Sequence, residues 1–412
     1  MNSASVKLQQ DIRYCTRCCI PETQEGIQFD ELGICTACRA SEQKMHINWA
    51  QKEQELRRIL EKAKESSTSY DCILPISGGK DSFFQAHILT RVYGLRPLAV
   101  TFSHNWFSET GLYNLQLCLK TFDLDHIQFT PSRGKVNKIA RQSLFEIGDA
   151  CWHCHSGVGA FPLKVALAFD IKLLIWGESV CESSGRATYN DSTNSYDKEY
   201  FLKVSAKKTA EQIAESANID IKYLSEHKLP THSEIAKAQI TGLHLGDYIF
   251  WDEERQTEFI KEHYHWRETE MEGAIKGYKS VECIMAGVHD FMCYQKRAFG
   301  RATMQAAVDI RSGLMTREEG LEVAKNIDSQ IPQALDYYLS ITGITKEEFY
   351  ASIASHKHEA LKDIAVESKT KIKSNCETPI PYYEQLISKH INKNDSRLSD
   401  DEERRLESSD WY

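Results

Sequence analysis

The chain has 412 residues, 41% hydrophobic and 26% charged, with a net charge of −9, which suits a globular protein of one large or two moderate domains. The acidic balance excludes a nucleic-acid binder that relies on general basicity. No apolar run has the length of a secretory signal core or a bilayer span, so a cytoplasmic location is expected. Thirteen cysteines, several in C-x-x-C pairs, point in a reducing compartment to metal rather than disulfides.

Residues 1–40 form a cysteine-rich segment. Cys15-x2-Cys18-x16-Cys35-x2-Cys38 matches a tetrahedral structural zinc site, with Gly33 suited to the turn before the second pair. Thiolate ligands must lose their protons, so metal binding would drive folding of a segment with little apolar content of its own. The alternatives are free buried cysteines or an Fe–S cluster; Cys19 reads as a spectator. Residues 41–69 read as a linking helix with Trp49, Leu56, Ile59 and Leu60 on one side.

Residues 70–255 alternate strand and helix. Apolar runs at Ile73–Ile76, Leu98–Phe102, Ile127–Phe129 and Leu173–Trp176 predict strands, with helices over 81–93, 109–123, 134–147 and 157–169. Crossovers of this length imply an α/β fold with a parallel, doubly wound sheet. Ligands bind such sheets at the carboxyl ends of the strands, which puts Ser77, His104 and Glu178 on one rim. The polar stretch 179–205 reads as a binding loop or lid, and Gly246–Trp251 as a further strand. Residues 256–370 read as helical, and 371–412 as a polar, mobile tail.

The residues richest in chemistry are Ser77-Gly78-Gly79-Lys80-Asp81-Ser82, between the first strand and a helix. Two glycines let backbone N–H groups approach an anion, the helix N-terminus adds orphan donors, and Lys80 adds a full charge. A Walker A loop does not fit, because Leu74 stands where its first glycine belongs and Asp81 follows the lysine. The hexapeptide instead resembles the PP-loop of ATP pyrophosphatases, which release pyrophosphate while adenylating a substrate oxygen. The bland alternative is a glycine turn before an ordinary helix. Cys151-Trp152-His153-Cys154-His155 is a candidate second site, with further ligands to be drawn from His153, His155, Cys181 and Cys283. It reads as a metal or Fe–S site, a thiol-lined pocket without metal, or a catalytic thiol.

Taken in order, further motifs resemble the N-acetyl sugar amidotransferases of the WbpG/PseA type. They are Tyr14-Cys15-Thr16-Arg17-Cys18, Phe29-Asp30-Glu31-Leu32-Gly33-Ile34-Cys35, Ile175-Trp176-Gly177-Glu178, Leu245-Gly246-Asp247-Tyr248, Phe299-Gly300-Arg301-Ala302-Thr303, Asp309-Ile310-Arg311-Ser312-Gly313 and Met315-Thr316-Arg317-Glu318-Glu319. The resemblance implies ATP-driven conversion of a sugar acetamido group to an acetamidino group for surface glycans, with Mg²⁺. It also implies ammonia from a separate glutaminase and a cyclase-like subunit, because no glutaminase unit is evident. Ser77 to Ser82 match the ATP loop. Lys80 would hold the leaving pyrophosphate, and Asp81 a Mg²⁺ shell or a helix cap. Glu178 would hold Mg²⁺, orient ammonia or pair with an arginine, and His104 would border the adenine. Arg301, Arg311 and Arg317 would bind phosphates or a carboxylate, or form structural ion pairs. His289 and Asp290 are adjacent and so poorly placed to form a dyad. The rival readings are a PP-loop tRNA sulfurtransferase, disfavoured by net charge, and a non-catalytic zinc-bearing assembly subunit.

Overall fold

The computed structural model describes residues 12–178, 189, 206–366 and 368–369. Its sheet has five strands, the central three buried on both faces, as near-continuous apolar runs require, and the two at the edges partly exposed. The five are β1 (Cys72–Pro75), β2 (Pro97–Phe102), β3 (His126–Phe129), β4 (Leu173–Trp176) and β5 (Thr241–His244). All pair in parallel, in the order β3-β2-β1-β4-β5. The chain therefore winds outward from β1 to β3, then crosses back to β4.

Alternation along the strands divides the core in two. Cys72, Leu74, Ala99, Leu173 and Ile175 face one layer, built from α1 (Trp49–Ser66), α2 (Lys80–His87), α3 (Glu109–Phe122) and α4 (Glu253–Tyr264). Ile73, Leu98, Val100 and Leu174 face α5 (Trp152–Ala168) on the other side. Gly157 makes that approach possible: a Cβ there would lie 2.3 Å from the Phe102 ring. A third core joins α6 (Arg133–Ile147) to the carboxyl-terminal helices α7 (Ala286–Arg297), α8 (Ala334–Thr342) and α9 (Lys346–Ser355). A fourth seats the cysteine-rich segment on α10 (Arg301–Arg311).

Three boundaries differ from the sequence-based expectation. The linking helix is preceded by a separate helix, Thr36–Lys44, and Asn48 caps the second by accepting from the Gln51 N–H. The helix expected from 157 starts at Trp152, so Cys151 becomes its cap and Cys154 enters its first turn. The fifth strand is Thr241–His244, not Gly246–Trp251; a 3₁₀ turn over Leu245–Asp247 follows it. The physical reason is that the aromatic run serves packing. Phe250 lies edge-on to Trp49, Trp251 lies edge-on to Phe84, and Lys44 donates to the Trp251 carbonyl. Except for Tyr189, residues 179–205 lie outside the described residues, as does 371–412. Among the described residues no helix is long and apolar enough to cross a membrane.

Candidate functional site

The hexapeptide Ser77–Ser82 leaves the carboxyl end of β1, beside β4, where the winding reverses. Open parallel sheets leave a ligand crevice at such a switch point. Gly78 has φ +85°, and a Cβ there would meet the Gly111 carbonyl oxygen at 2.4 Å. The turn thus requires glycine twice over. The Ser77 N–H donates to Ser82 Oγ, the Ser82 hydroxyl donates to the Gly79 carbonyl, and the Gly79 N–H donates to Ser77 Oγ. The first-turn N–H groups of α2 have no intrahelical acceptor and face the end of the loop.

Lys80 is only 4% exposed. Its Nζ lies 2.6 Å from Asp81 Oδ2 and 3.6 Å from Glu253 Oε2. Burial opposes its charge, but the charges of Asp81, Glu253 and Glu178 outweigh it and raise its pKa. Burial also opposes ionisation of Glu253, which Lys279 and Lys80 nevertheless hold well below the usual carboxylate range. Glu178 has an exposed side chain at the rim, yet protein crowds it. Desolvation, then Asp81 and Glu253, push its carboxyl up to about 7 against Lys80 and Lys279. Asp81 Oδ1 is buried and accepts no hydrogen bond. An orphaned carboxylate oxygen in a glycine-rich loop at a helix N-terminus fits a hard cation such as Mg²⁺.

The back wall of this loop comes from residues far along the chain. The Trp266 indole N–H donates to the Gly78 carbonyl at 3.1 Å. Glu282 Oε2 lies 3.2 Å from where a Gly79 Cβ would sit, and the Ser108 N–H donates to the Glu282 carbonyl at 3.0 Å. Sequence reasoning missed Glu253, Trp266, Lys279 and Glu282, which follow no spacing rule relative to the loop. His104 joins another group. Its Nδ1 accepts from the Trp106 N–H, its carbonyl accepts from His153 Nε2, and its Nε2 is buried without a partner. Burial, with His153 and Arg133, lowers its pKa to about 3, so it is neutral.

Cys15, Cys18, Cys35 and Cys38 are buried with all four sulfurs within 4.8 Å of one another. The Sγ–Sγ distances are 3.8 Å for Cys15–Cys38 and 3.6 Å for Cys18–Cys35. N–H groups of Arg17, Cys18 and Cys35 point at Cys15 Sγ. Contacts with the other three sulfurs, aided by such donors, hold its thiol below the ordinary range. The cluster can hold a metal such as zinc. Arg317 Nε donates to the carbonyls of Cys15 and Cys18, each at 3.0 Å. Arg311 lies by the same cluster, where its charge lowers the Cys18 thiol after the sulfur contacts have acted.

The second cysteine pair separates. Cys151 Sγ groups with Asp149 and His289, the three ligand atoms lying within 4.8 Å of one another. Cys154 and Cys283 lie nearby, and burial pushes the Cys154 thiol up to about 12, with Glu282 and Asp149 adding to the effect. Cys181 is outside the described residues. His289 Nδ1 is 3.0 Å from Asp149 Oδ1, while Asp290 takes a bidentate contact from Arg301, at 2.5 and 3.2 Å. His289 and Asp290 thus serve different partners. Arg301 and Arg311 do not converge on one group, since Arg311 sits by the four cysteines. The Phe299–Thr303 motif has a structural use as well. Asp328 caps α10 by accepting from the N–H groups of Gly300, Ala302 and Thr303 and from the Thr303 hydroxyl.

Residues 253–372 match the profile of a family described as LPS biosynthesis protein WbpG-like, C-terminal domain. This region, which is similar to that family's C-terminal domain, supplies Glu253, Trp266, Lys279 and Glu282 to the loop. An uncharacterized protein of Methanocaldococcus jannaschii is 28% identical over 104 residues, 25% of this chain and 37% of that protein. The aligned part therefore spans little more than a third of that relative's length.

Proposed function

We propose that this chain, which carries a WbpG-like C-terminal domain, is an ATP-dependent amidotransferase of lipopolysaccharide or other surface-glycan biosynthesis, working in the cytoplasm. The observation that carries the reading is the Ser77–Ser82 loop. It has a buried lysine and an unpaired carboxylate oxygen, and it stands at the switch point of a parallel sheet. The substrate is a sugar with an acetamido group, nucleotide-linked or a nonulosonic acid precursor.

The acetamido oxygen attacks the α-phosphorus of ATP. The bond to the β-phosphate oxygen breaks, and pyrophosphate leaves. Loop amides and Lys80 stabilise the charge that develops on it. Ammonia then attacks the activated carbon, AMP leaves with the oxygen, and a proton is lost to give the acetamidino group. Mg²⁺ would supply charge neutralisation at the phosphates. Asp81 is the residue fitted to hold it, and Glu178 completes the acidic rim with a carboxyl poised to change charge near neutrality. His104, which follows the carboxyl end of β2, would offer its unpartnered nitrogen to the adenine. Arg301 would contribute charge for the sugar's anionic group, with Arg311 more distant, and a zinc ion would be structural in the four-cysteine cluster. Ammonia would come from a glutaminase subunit through a cyclase-like channelling subunit.

The test is incubation of the purified chain with ATP, Mg²⁺, ammonium and a panel of diacetamido sugars, read by mass spectrometry. The expected product carries an acetamidino group, with AMP formed in step. Lys80→Ala should lower AMP formation by about 10²-fold or more with the circular dichroism spectrum unchanged. Near-normal AMP formation in that variant would sink the assignment of the loop.

A further inference from the structure

The four-cysteine cluster and the ATP loop leave one constellation unused: Asp149, Cys151 and His289. The first two lie in the short connection between α6 and α5, with Cys151 at the cap of α5. His289 lies in the first turns of α7, 140 residues beyond Asp149. Asp149 and Cys151 are each 7% exposed. The group therefore brings a thiol, an imidazole and a carboxylate together inside the protein, from two parts of the chain.

From this geometry we infer that Asp149, Cys151 and His289 form a second metal site, for a borderline-soft divalent ion of which zinc is the leading case. Zinc bonds of about 2.0–2.3 Å keep two ligand atoms within about 4.6 Å of each other. The three ligand atoms already lie within 4.8 Å, so small side-chain rotations bring them onto one ion. The Cys151 N–H donates to Asp149 Oδ1 at 2.8 Å, fixing the carboxylate as supporting hydrogen bonds do around metal ligands. The neighbouring Asp290 is taken by Arg301, which leaves Asp149 as the carboxylate turned to the histidine. The mixed S, N, O donor set disfavours Mg²⁺ and Ca²⁺, which take oxygen ligands, and suits zinc. Among the described residues three protein ligands meet there, which leaves a fourth position of the kind that binds an exchangeable molecule. The ion would also tie the sheet region to α7.

The site differs from a cluster on the C-x-x-C pair, because Cys154 is not among the ligands. The experiment uses the full chain, grown with zinc, dialysed and analysed for metal. About two zinc ions per chain are expected. Cys151→Ser and His289→Ala should each hold about one, whereas Cys154→Ser and Cys283→Ser should keep two. Asp149→Asn is close to isosteric and serves if His289→Ala does not fold. It should bind the second ion at least tenfold more weakly in a competition with a chromophoric chelator. Cobalt(II) added to metal-free protein should show two binding steps, of which Cys151→Ser loses one. The inference is overturned if folded Cys151→Ser and Asp149→Asn keep wild-type zinc content and affinity, if Cys154→Ser or Cys283→Ser loses the ion instead, or if anaerobic protein holds iron and sulfide there. Metal content is read without ATP or sugar, so it stands or falls separately from the proposed reaction.

Discussion

Glu178 shows how one carboxyl can set a pH dependence. Desolvation by the protein crowded round it and two neighbouring carboxylates raise it to about 7, above the usual range near 4.3. A carboxyl raised in the folded state costs nothing while protonated in both states. Its cost to stability appears as pH rises above the unfolded value and is complete above about 7. Activity should run the other way, because the charge that would serve Mg²⁺ or ammonia exists only above that pH. Pyrophosphate exchange, which involves no ammonia, should therefore rise with pH through neutrality and lose that limb in Glu178→Gln; an unchanged profile would remove Glu178 from the site. The Ser77–Ser82 loop and the four cysteines were legible in the sequence because each is a local pattern whose spacing reflects its own geometry. Glu282 and the Asp149–His289 pair were not, because a carboxylate brought in from a distant segment leaves no period. Cys151 was legible as chemistry but not as geometry: its partner across the C-x-x-C spacing turned out not to share its ligand group.

At the scale of elements, the helix that carries Cys151 is held close to β2 by a missing side chain. Gly157 faces the Phe102 ring, where a Cβ would approach to 2.3 Å. Gly157→Ala should therefore destabilise the protein by about 1–3 kcal/mol through overpacking, seen as a lower urea midpoint with an unchanged slope. A midpoint within error of wild type would mean that helix and strand separate freely. The central strands were readable because parallel strands buried on both faces carry apolar runs, and the four expected cores of β1 to β4 lie within a residue of the observed ones. The fifth was misread for the complementary reason. Tyr248 to Trp251 are as apolar and aromatic as a strand, but Tyr248, Ile249 and Trp251 pack on the layer with α1 and α2, and Phe250 lies edge-on to Trp49, instead of joining a ladder.

Across the whole molecule, the amino-terminal segment and the carboxyl-terminal helices depend on each other. Cys15, Cys18 and Ile20 pack with Ala306 and Ala307, and Arg317 holds the carbonyls of Cys15 and Cys18. Cys15→Ser/Cys35→Ser should lose one zinc and expose the chain ahead of Trp49 to limited proteolysis, since zinc sites of this kind contribute about 10–16 kcal/mol to folding in isolated fingers. Full zinc content in that variant would rule out the cluster as its holder. Under the proposed function, ammonia supply would be a property of an assembly. The purified chain should accept ammonium salts, at a rate rising with pH as ammonium loses its proton to give ammonia, and should use glutamine only with a glutaminase and a channelling subunit added. Efficient glutamine use by the chain alone would reveal a nucleophile within it. The indole that steadies the Gly78 carbonyl also gives the molecule a timetable. Trp266 follows Gly78 by 188 residues, which is about 10–40 s of synthesis at about 5–20 residues per second. Strands β1 to β4 leave the ribosome well before the wall behind their loop exists. A nascent chain stalled short of Trp266 would carry the hexapeptide without its support, so this loop is completed late in the birth of the protein.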